Sequence, residues 1–356
     1  MSTRPNLPPL TSLRFFAASG VVIFHYNLTN PIFPKLLAGF GYEAVTFFFV
    51  LSGFILAYAH GIPHAGMNVS PKEFLLARFA RIWPVYGFAL ASVLLLFFIA
   101  GVLKPGLAMP ATLVTAMVQS WVPQYALALN PPAWSLSNEM FFYILFPMIW
   151  AATRSLSAGR FLAVSAALVI FAALLKGYSF DGAGKSWTSW TNFWMYFPVL
   201  NLPQFVFGVA LGYYFIEHSP TDPRIRAWLF WSGVGVLGAV ISLKATLPWI
   251  SNGAVLCAVF SLIILGAAGI GGLARRILYV RTLVILGDAS YAIYILHFPV
   301  WLWWNHYTRI AYQLDLPSSV DFAIYLSILI VASLTSLIVL ERPARRALSR
   351  VRFAGG

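Results

Sequence analysis

The sequence predicts an all-α, polytopic integral membrane protein of about ten transmembrane helices with both termini in the cytoplasm. Three observations carry this. Hydrophobic residues make up 60% of the 356 and charged residues 9%, against roughly 45–50% and about 25% in soluble domains. That is too little charge to clothe a soluble surface of this length. The apolar residues fall in runs near the 20 residues or so that a helix needs to cross a hydrocarbon core of about 30 Å. The basic residues cluster between those runs with a one-sided bias. A soluble globular enzyme, a disordered chain and a coiled coil are excluded.

In order, the spans are 10–28, 43–60, 81–101, 136–153, 160–176, 200–217, 228–244, 253–272, 283–304 and 321–340. The first holds Arg14 and His25 and is followed by no small-residue cleavage site, so it is read as a retained helix and not a signal peptide. The second contains FFFVLSGF. The third follows the basic segment RFARIWPVY, whose Pro84 is placed to kink it. The fourth begins in WSLSNEMFFYILFP, the eighth encloses the single cysteine, Cys257, and the ninth carries SYAIYILHFPVW. One cysteine permits neither a disulfide framework nor a cysteine metal site. Residues 104–133 are only partly apolar and are broken by Pro105, Pro110, Pro123, Pro131 and Pro132. They read as a re-entrant or interfacial segment, with an eleventh span as the alternative.

With the N-terminus inside, the outer loops receive Lys35, Lys104, Lys176, Lys185, Lys244 and Arg309, leaving 17 of the 23 lysines and arginines on the cytoplasmic side. The net charge of +13 therefore reads as topology and anionic-lipid contact, not nucleic-acid binding. Residues 1–341 form the membrane domain, and 342–356 are a basic cytoplasmic tail. No internal repeat is evident, which removes one argument for a transporter. The sequons at Asn27 and Asn68 carry little weight.

Charged residues inside spans are functional candidates by default. Arg14 and His25 lie eleven residues apart, about three turns and roughly 16 Å, on nearly one helix face. The alternative is a snorkelling arginine and a packed histidine. Glu139, flanked by Trp134, Phe141, Phe142 and Tyr143, is an acid–base candidate, a partner for a histidine, or a helix-start cap behind Ser135 or Ser137. His297 either meets a substrate, buttresses His25, or is structural. Arg78 and Arg81 share a face at i, i+3 and suit a phosphate, or simply anchor the helix at the inner leaflet. No close metal-ligand spacing such as HExxH appears. The segment Gly182-Ala-Gly-Lys185-Ser186 fails the phosphate-loop pattern, because the first glycine would fall on Ser179. Basic groups toward the cytoplasm and acid–base groups toward the outside suit a cytosolic phosphorylated donor and an acceptor handled on the other face.

These residues also carry a resemblance. The chain resembles the bacterial acyltransferase-3 family of integral-membrane O-acyltransferases over most of its length. Arg14 and His25 reproduce its arginine–ten residues–histidine motif. FFFVLSGF, the Arg78/Arg81 pair, WSLSNEMFFY with Glu139, SYAIYILHFP with His297 and the final ERPARR follow in order. The resemblance implies a fold of about ten helices and acyl transfer, usually of acetyl, from cytosolic acyl-coenzyme A. No tightly bound cofactor is implied. The acceptors are hydroxyls of glycans, glycolipids or other exported molecules at the inner membrane. It implies His25 and Glu139 as the catalytic pair and Arg14, Arg78 and Arg81 as donor-phosphate binders. Many members carry aspartate where this chain has Thr46, so a carboxylate role there is absent. The esterase-like domain that some members append is not expected here.

The expected reaction has His25 as general base, oriented by Glu139, with His25 itself or a hydroxyl such as Ser52 or Tyr294 as an optional acyl carrier. Ser52, Trp134, Tyr143, Tyr294 and His297 support the site. The acceptor is expected among residues 104–133, 177–199 and 305–320. The rival readings are a transporter or flippase without acyl-transfer chemistry, and a scaffold subunit of an envelope-polymer assembly.

Overall fold

In a computed structural model, which describes residues 4–34, 39–181, 189–219, 222–269, 271–314, 316–344 and 346–347, the predicted spans fall on helices, the eighth and ninth on a broken pair each. The helices are α1 (Pro8–Thr29), α2 (Gly41–His60), α3 (Pro71–Ile99), α4 (Ala108–Thr115), α5 (Trp134–Ala152), α6 (Ala158–Asp181) and α7 (Ser189–Tyr196). They continue with α8 (Pro198–His218), α9 (Pro223–Leu243), α10 (Gly253–Ala267), α11 (Gly272–Leu278), α12 (Arg281–Asp288), α13 (Ser290–Asn305) and α14 (Ser318–Ser336). A two-residue hairpin, β1 (Gly61–Ile62) and β2 (Gly66–Met67), joins α2 to α3.

Among the described residues six helices are long and apolar enough to cross a membrane, or eight if each bent pair, α10–α11 and α12–α13, forms one span. Helices α1 and α5, of 22 and 19 residues, have spanning length. Their polar side chains keep them outside that count, so ten is an approximation. Residues 104–133 hold only the eight-residue α4 and four 3₁₀ turns, and no spanning helix. An eight-residue helix rises about 12 Å, far short of a bilayer core.

Helix α3 starts ten residues before its predicted span. Ser70 caps it by accepting from the Glu73 amide, and Glu73 accepts in return from the Ser70 amide (3.2 and 3.0 Å). That reciprocal cap carries the helix beyond the apolar run.

The centre of the bundle is the α2–α8 pair. Two thirds of the α2 window (67%) is buried, against 17% for α9 and 28% for α14 at the rim. Small residues make the approach possible. A Cβ on Gly53 would lie 2.2 Å from the Phe205 carbonyl oxygen, and one on Gly208 would lie 2.1 Å from that of Val50. Helix α1 is fixed against α11 by Ser12, whose hydroxyl donates to the Leu278 carbonyl at 2.7 Å.

The irregular segment 104–133 is tied down by side chains, as backbone at membrane depth requires. Gln119 donates to the Ala133 carbonyl (3.0 Å) and Ser120 to that of Trp134 (2.8 Å). Pro299, inside α13, has no amide proton for the Ile295 carbonyl. The Asn130 side chain supplies the missing donor at 3.0 Å.

Candidate active site

Four helices set two cavities end to end. Along α1, Leu10, Thr11 and Arg14 line the first and Val21, Phe24 and His25 the second. Along α13 the order is Ser290, Tyr291 and Tyr294, then His297, Phe298 and Trp301. Helices α2 and α5 run the opposite way, with Tyr42, Val45 and Trp134 at the second cavity and Ser52, Glu139 and Tyr143 at the first. Tyr294 lines both. Its hydroxyl is 2.7 Å from Ser135 Oγ and donates to the Pro132 carbonyl at 3.0 Å. Its ring meets Phe48 edge-on at 5.7 Å. Tyr294 is therefore a wall common to both cavities.

The first cavity, about 160 Å³, brings together Arg14, Arg78, Arg81, Glu139, Ser52 and Tyr143. Three guanidiniums converge on it from α1 and α3, the shared face expected of residues 78 and 81. Arg78 also lies over the Phe74 ring at 5.8 Å. Ser52 and Tyr143 are joined by a 3.2 Å hydroxyl contact. Arg14 lies within electrostatic reach of Arg81, Glu139, Tyr143 and Glu341. The cavity thus gathers three guanidiniums and the Glu139 carboxylate.

The second cavity, about 420 Å³, holds His25 and His297. His25 Nδ1 lies 3.0 Å from the Val21 carbonyl oxygen and 3.2 Å from His297 Nε2. His297 Nδ1 lies 2.6 Å from the Tyr294 carbonyl oxygen. Carbonyls only accept, so in the neutral pair both Nδ1 atoms carry the protons, a tautomer assigned from these partners. The His297 Nε2 lone pair then accepts from His25, and His25 Nε2 is left unprotonated toward the cavity. A free Nε2 on an oriented imidazole has the chemistry a general base needs. Behind the pair, Tyr325 donates to the His297 carbonyl (3.1 Å) and stacks on Tyr26 at 5.4 Å. Tyr26 donates to Asp321 at 2.5 Å, and Trp304 donates to the same carboxylate at 2.8 Å.

The expected pairing of His25 with Glu139 is not formed. Helix α5 leaves the histidine cavity at Trp134, and Glu139 lies five residues further on, about 7.5 Å along the axis, among the arginines. The orienting contact to His25 comes from His297. Trp134 stacks on Tyr42 (6.4 Å) and meets the tilted ring of Tyr196 (4.8 Å) in the histidine cavity. Of the loops expected around the acceptor, 104–133 contributes Leu127 and Pro131, and 177–199 contributes Met195 and Tyr196. Residues 305–320 contribute no lining residue among those described.

Three buried acids escaped the sequence reading: Glu43, ion-paired with Lys244 at 2.6 Å, Asp321 and Glu341. Asp321 opens the last predicted span, and Glu341, 0% exposed, ends the π-helical turn that continues α14. Acids at the ends of apolar runs are a usable signal. Lys35, Lys185, Arg345, Arg350, Arg352 and the segment 182–186 lie outside the described residues. Among the described residues no group of three His, Cys, Asp or Glu is placed to hold a metal ion.

The polytopic helical bundle thus sets an arginine-lined cavity beside a cavity that holds a histidine pair. The chain belongs to the acyltransferase-3 family: the family described as an acyltransferase domain matches residues 10–342. It is 28% identical to the acyltransferase MdmB of Streptomyces mycarofaciens, over 98% of this chain and 94% of that one. It is 25% identical to the O-acetyltransferase OatA of Staphylococcus aureus over 85% of this chain, a match spanning 51% of OatA. A third relative, protein 2 in the picA locus of Rhizobium radiobacter, is 36% identical over 37% of this chain. No solved structure matches. The protein is a multi-pass membrane acyltransferase.

Proposed function

We propose that the protein is an O-acyltransferase of the bacterial inner membrane. In this reading it moves an acyl group, acetyl in the first instance, from cytosolic acyl-coenzyme A to a hydroxyl of an exported acceptor such as a cell-surface glycan or glycolipid. The observation that carries this is the end-to-end pair of cavities, arginines in one and a free imidazole nitrogen in the other. The charge bias of the loops supports an arginine cavity that faces the cytoplasm.

Arg14, Arg78 and Arg81 hold the donor's phosphates by charge-assisted hydrogen bonds. Glu139, inside the cradle, holds Arg14 in place for the phosphates. The pantetheine arm extends toward Tyr294, whose ring turns aside to let the thioester reach His25. His25 Nε2 removes the hydroxyl proton as the oxygen attacks the thioester carbonyl. The C–O bond forms, the C–S bond breaks, and the proton leaves on the thiolate as coenzyme A thiol. His297 stabilises the imidazolium by accepting from Nδ1, the part a carboxylate plays in triads.

The test is thiol release from acetyl-coenzyme A by the full-length protein in nanodiscs, with and without an envelope-glycan extract. Wild type should show acceptor-dependent release, and His25→Ala should lose about 10²–10⁴-fold. Acceptor movement across the membrane without thioester consumption would favour a flippase instead.

A further inference from the structure

The histidine cavity has a largely apolar wall. Around His25 it is walled by Phe24, Val45, Leu127, Met195, Phe298 and Trp301. Most hydrogen-bonding side chains that border it are already committed to the protein. Tyr26 donates to Asp321, Tyr325 to the His297 carbonyl, Tyr294 to the Pro132 carbonyl and Thr29 to the Tyr26 carbonyl at 3.2 Å. Both nitrogens of His297 are occupied by Tyr294 and His25. Among the described residues the side-chain groups left to a ligand are His25 Nε2, the Trp301 indole N–H, and the polar tips of Tyr42, Trp134 and Tyr196, which sit together in one aromatic cluster.

A sugar ring buried here would bring several hydroxyls, and each one without a partner loses its hydration uncompensated. A molecule with one hydroxyl on an apolar body loses nothing comparable and gains burial of its apolar surface. We propose that the acceptor portion entering this cavity is an amphipathic alcohol, a hydroxyl carried on a largely aliphatic or aromatic body, and not a run of bare polyhydroxylated sugar. The inference rests on the reading of His25 as the base and narrows the acceptor for it. It leaves room for a glycolipid whose apolar part carries the reacting hydroxyl.

The experiment offers full-length protein in nanodiscs two probe acceptors, 2-(2-naphthyl)ethanol and maltopentaose, with acetyl-coenzyme A. Ester product is followed by mass spectrometry, and probe binding separately by tryptophan fluorescence. The expected result is a kcat/KM for the naphthyl alcohol at least tenfold above that for maltopentaose. Met195→Asn and Trp301→Ala should each weaken binding of the naphthyl alcohol at least fivefold with the KM for acetyl-coenzyme A unchanged. If one variant does not fold, the other keeps the test. Equal or better esterification of maltopentaose overturns the proposal, as does failure of the naphthyl alcohol to bind. Binding of the naphthyl alcohol without transfer, together with no thiol release on any envelope extract, would uphold the ligand class and sink the catalytic reading.

Discussion

Replacing His297 isolates the contact that orients the base. Its imidazole does two things: Nδ1 donates to the Tyr294 carbonyl at 2.6 Å, and Nε2 accepts from His25 Nδ1 at 3.2 Å. Asparagine at 297 has an amide nitrogen near the Nδ1 position and no acceptor near Nε2. Glutamine reaches the Nε2 position with an acceptor oxygen. In the transition state His25 is cationic, so the lost bond is charge-assisted and worth about 1.5–3 kcal/mol. At about 1.4 kcal/mol per decade, that is roughly 10–150-fold in kcat. The Val21 carbonyl, 3.0 Å from the same nitrogen, still holds the tautomer, so the loss should stay below that of His25→Ala. Expected, then, is a drop of about 10–150-fold in kcat for His297→Asn, with the KM for acetyl-coenzyme A unchanged, and partial recovery in His297→Gln. Thiol release under saturating donor measures it. Wild-type turnover by well-folded His297→Asn would refute the orienting role.

Arg78→Ala and Arg81→Ala should each raise the KM for acetyl-coenzyme A by about 10–100-fold, the worth of a charge-assisted bond, with kcat little changed in steady-state assays. Tyr294→Phe keeps the ring but frees it from Ser135 and Pro132 (2.7 and 3.0 Å). Acceptor-independent hydrolysis of acetyl-coenzyme A should rise in that variant, whereas total loss of transfer would mark Tyr294 as a covalent carrier. Asn130→Leu leaves the Ile295 carbonyl unpaired beside Pro299 and should cost about 1–3 kcal/mol, read as a lower midpoint in thermal unfolding. Gly208→Val drives a side chain into the Val50 carbonyl, 2.1 Å from the first added atom. It should yield little monodisperse protein on size exclusion.

The spans were legible because hydropathy is local, and a helix in lipid satisfies its own backbone wherever the apolar run lies. The start of α3 was legible too, in Ser70-Pro-Lys-Glu73, but the apolar run drew the boundary inward. The breaks within the eighth and ninth spans were not, since a bend between Asp288 and Ser290 depends on neighbours far along the chain. The site residues were each flagged by their chemistry inside apolar runs, and the structure gathers them at two cavities. Their grouping was hidden. Whether Glu139 faces His25 or Arg14 depends on where α5 enters the bundle, which is fixed by contacts such as Ser120 to the Trp134 carbonyl. The role of Asn130 was invisible because it answers a donor missing 169 residues away, at Pro299.

Tyr294, as the shared wall of two cavities, changes what the membrane is at this spot. Elsewhere the bilayer is about 30 Å of insulator, and carrying a nucleotide's phosphates through it incurs a desolvation penalty of several kcal/mol per ion. In the proposed reaction the donor and acceptor cavities share the Tyr294 ring as a wall. The nucleotide has no journey to make under the proposed reaction, because only a small uncharged fragment passes the ring. Delivery across the barrier becomes an exchange of bonds in place of permeation, and the energy that drives it is stored in the thioester, without an ion gradient.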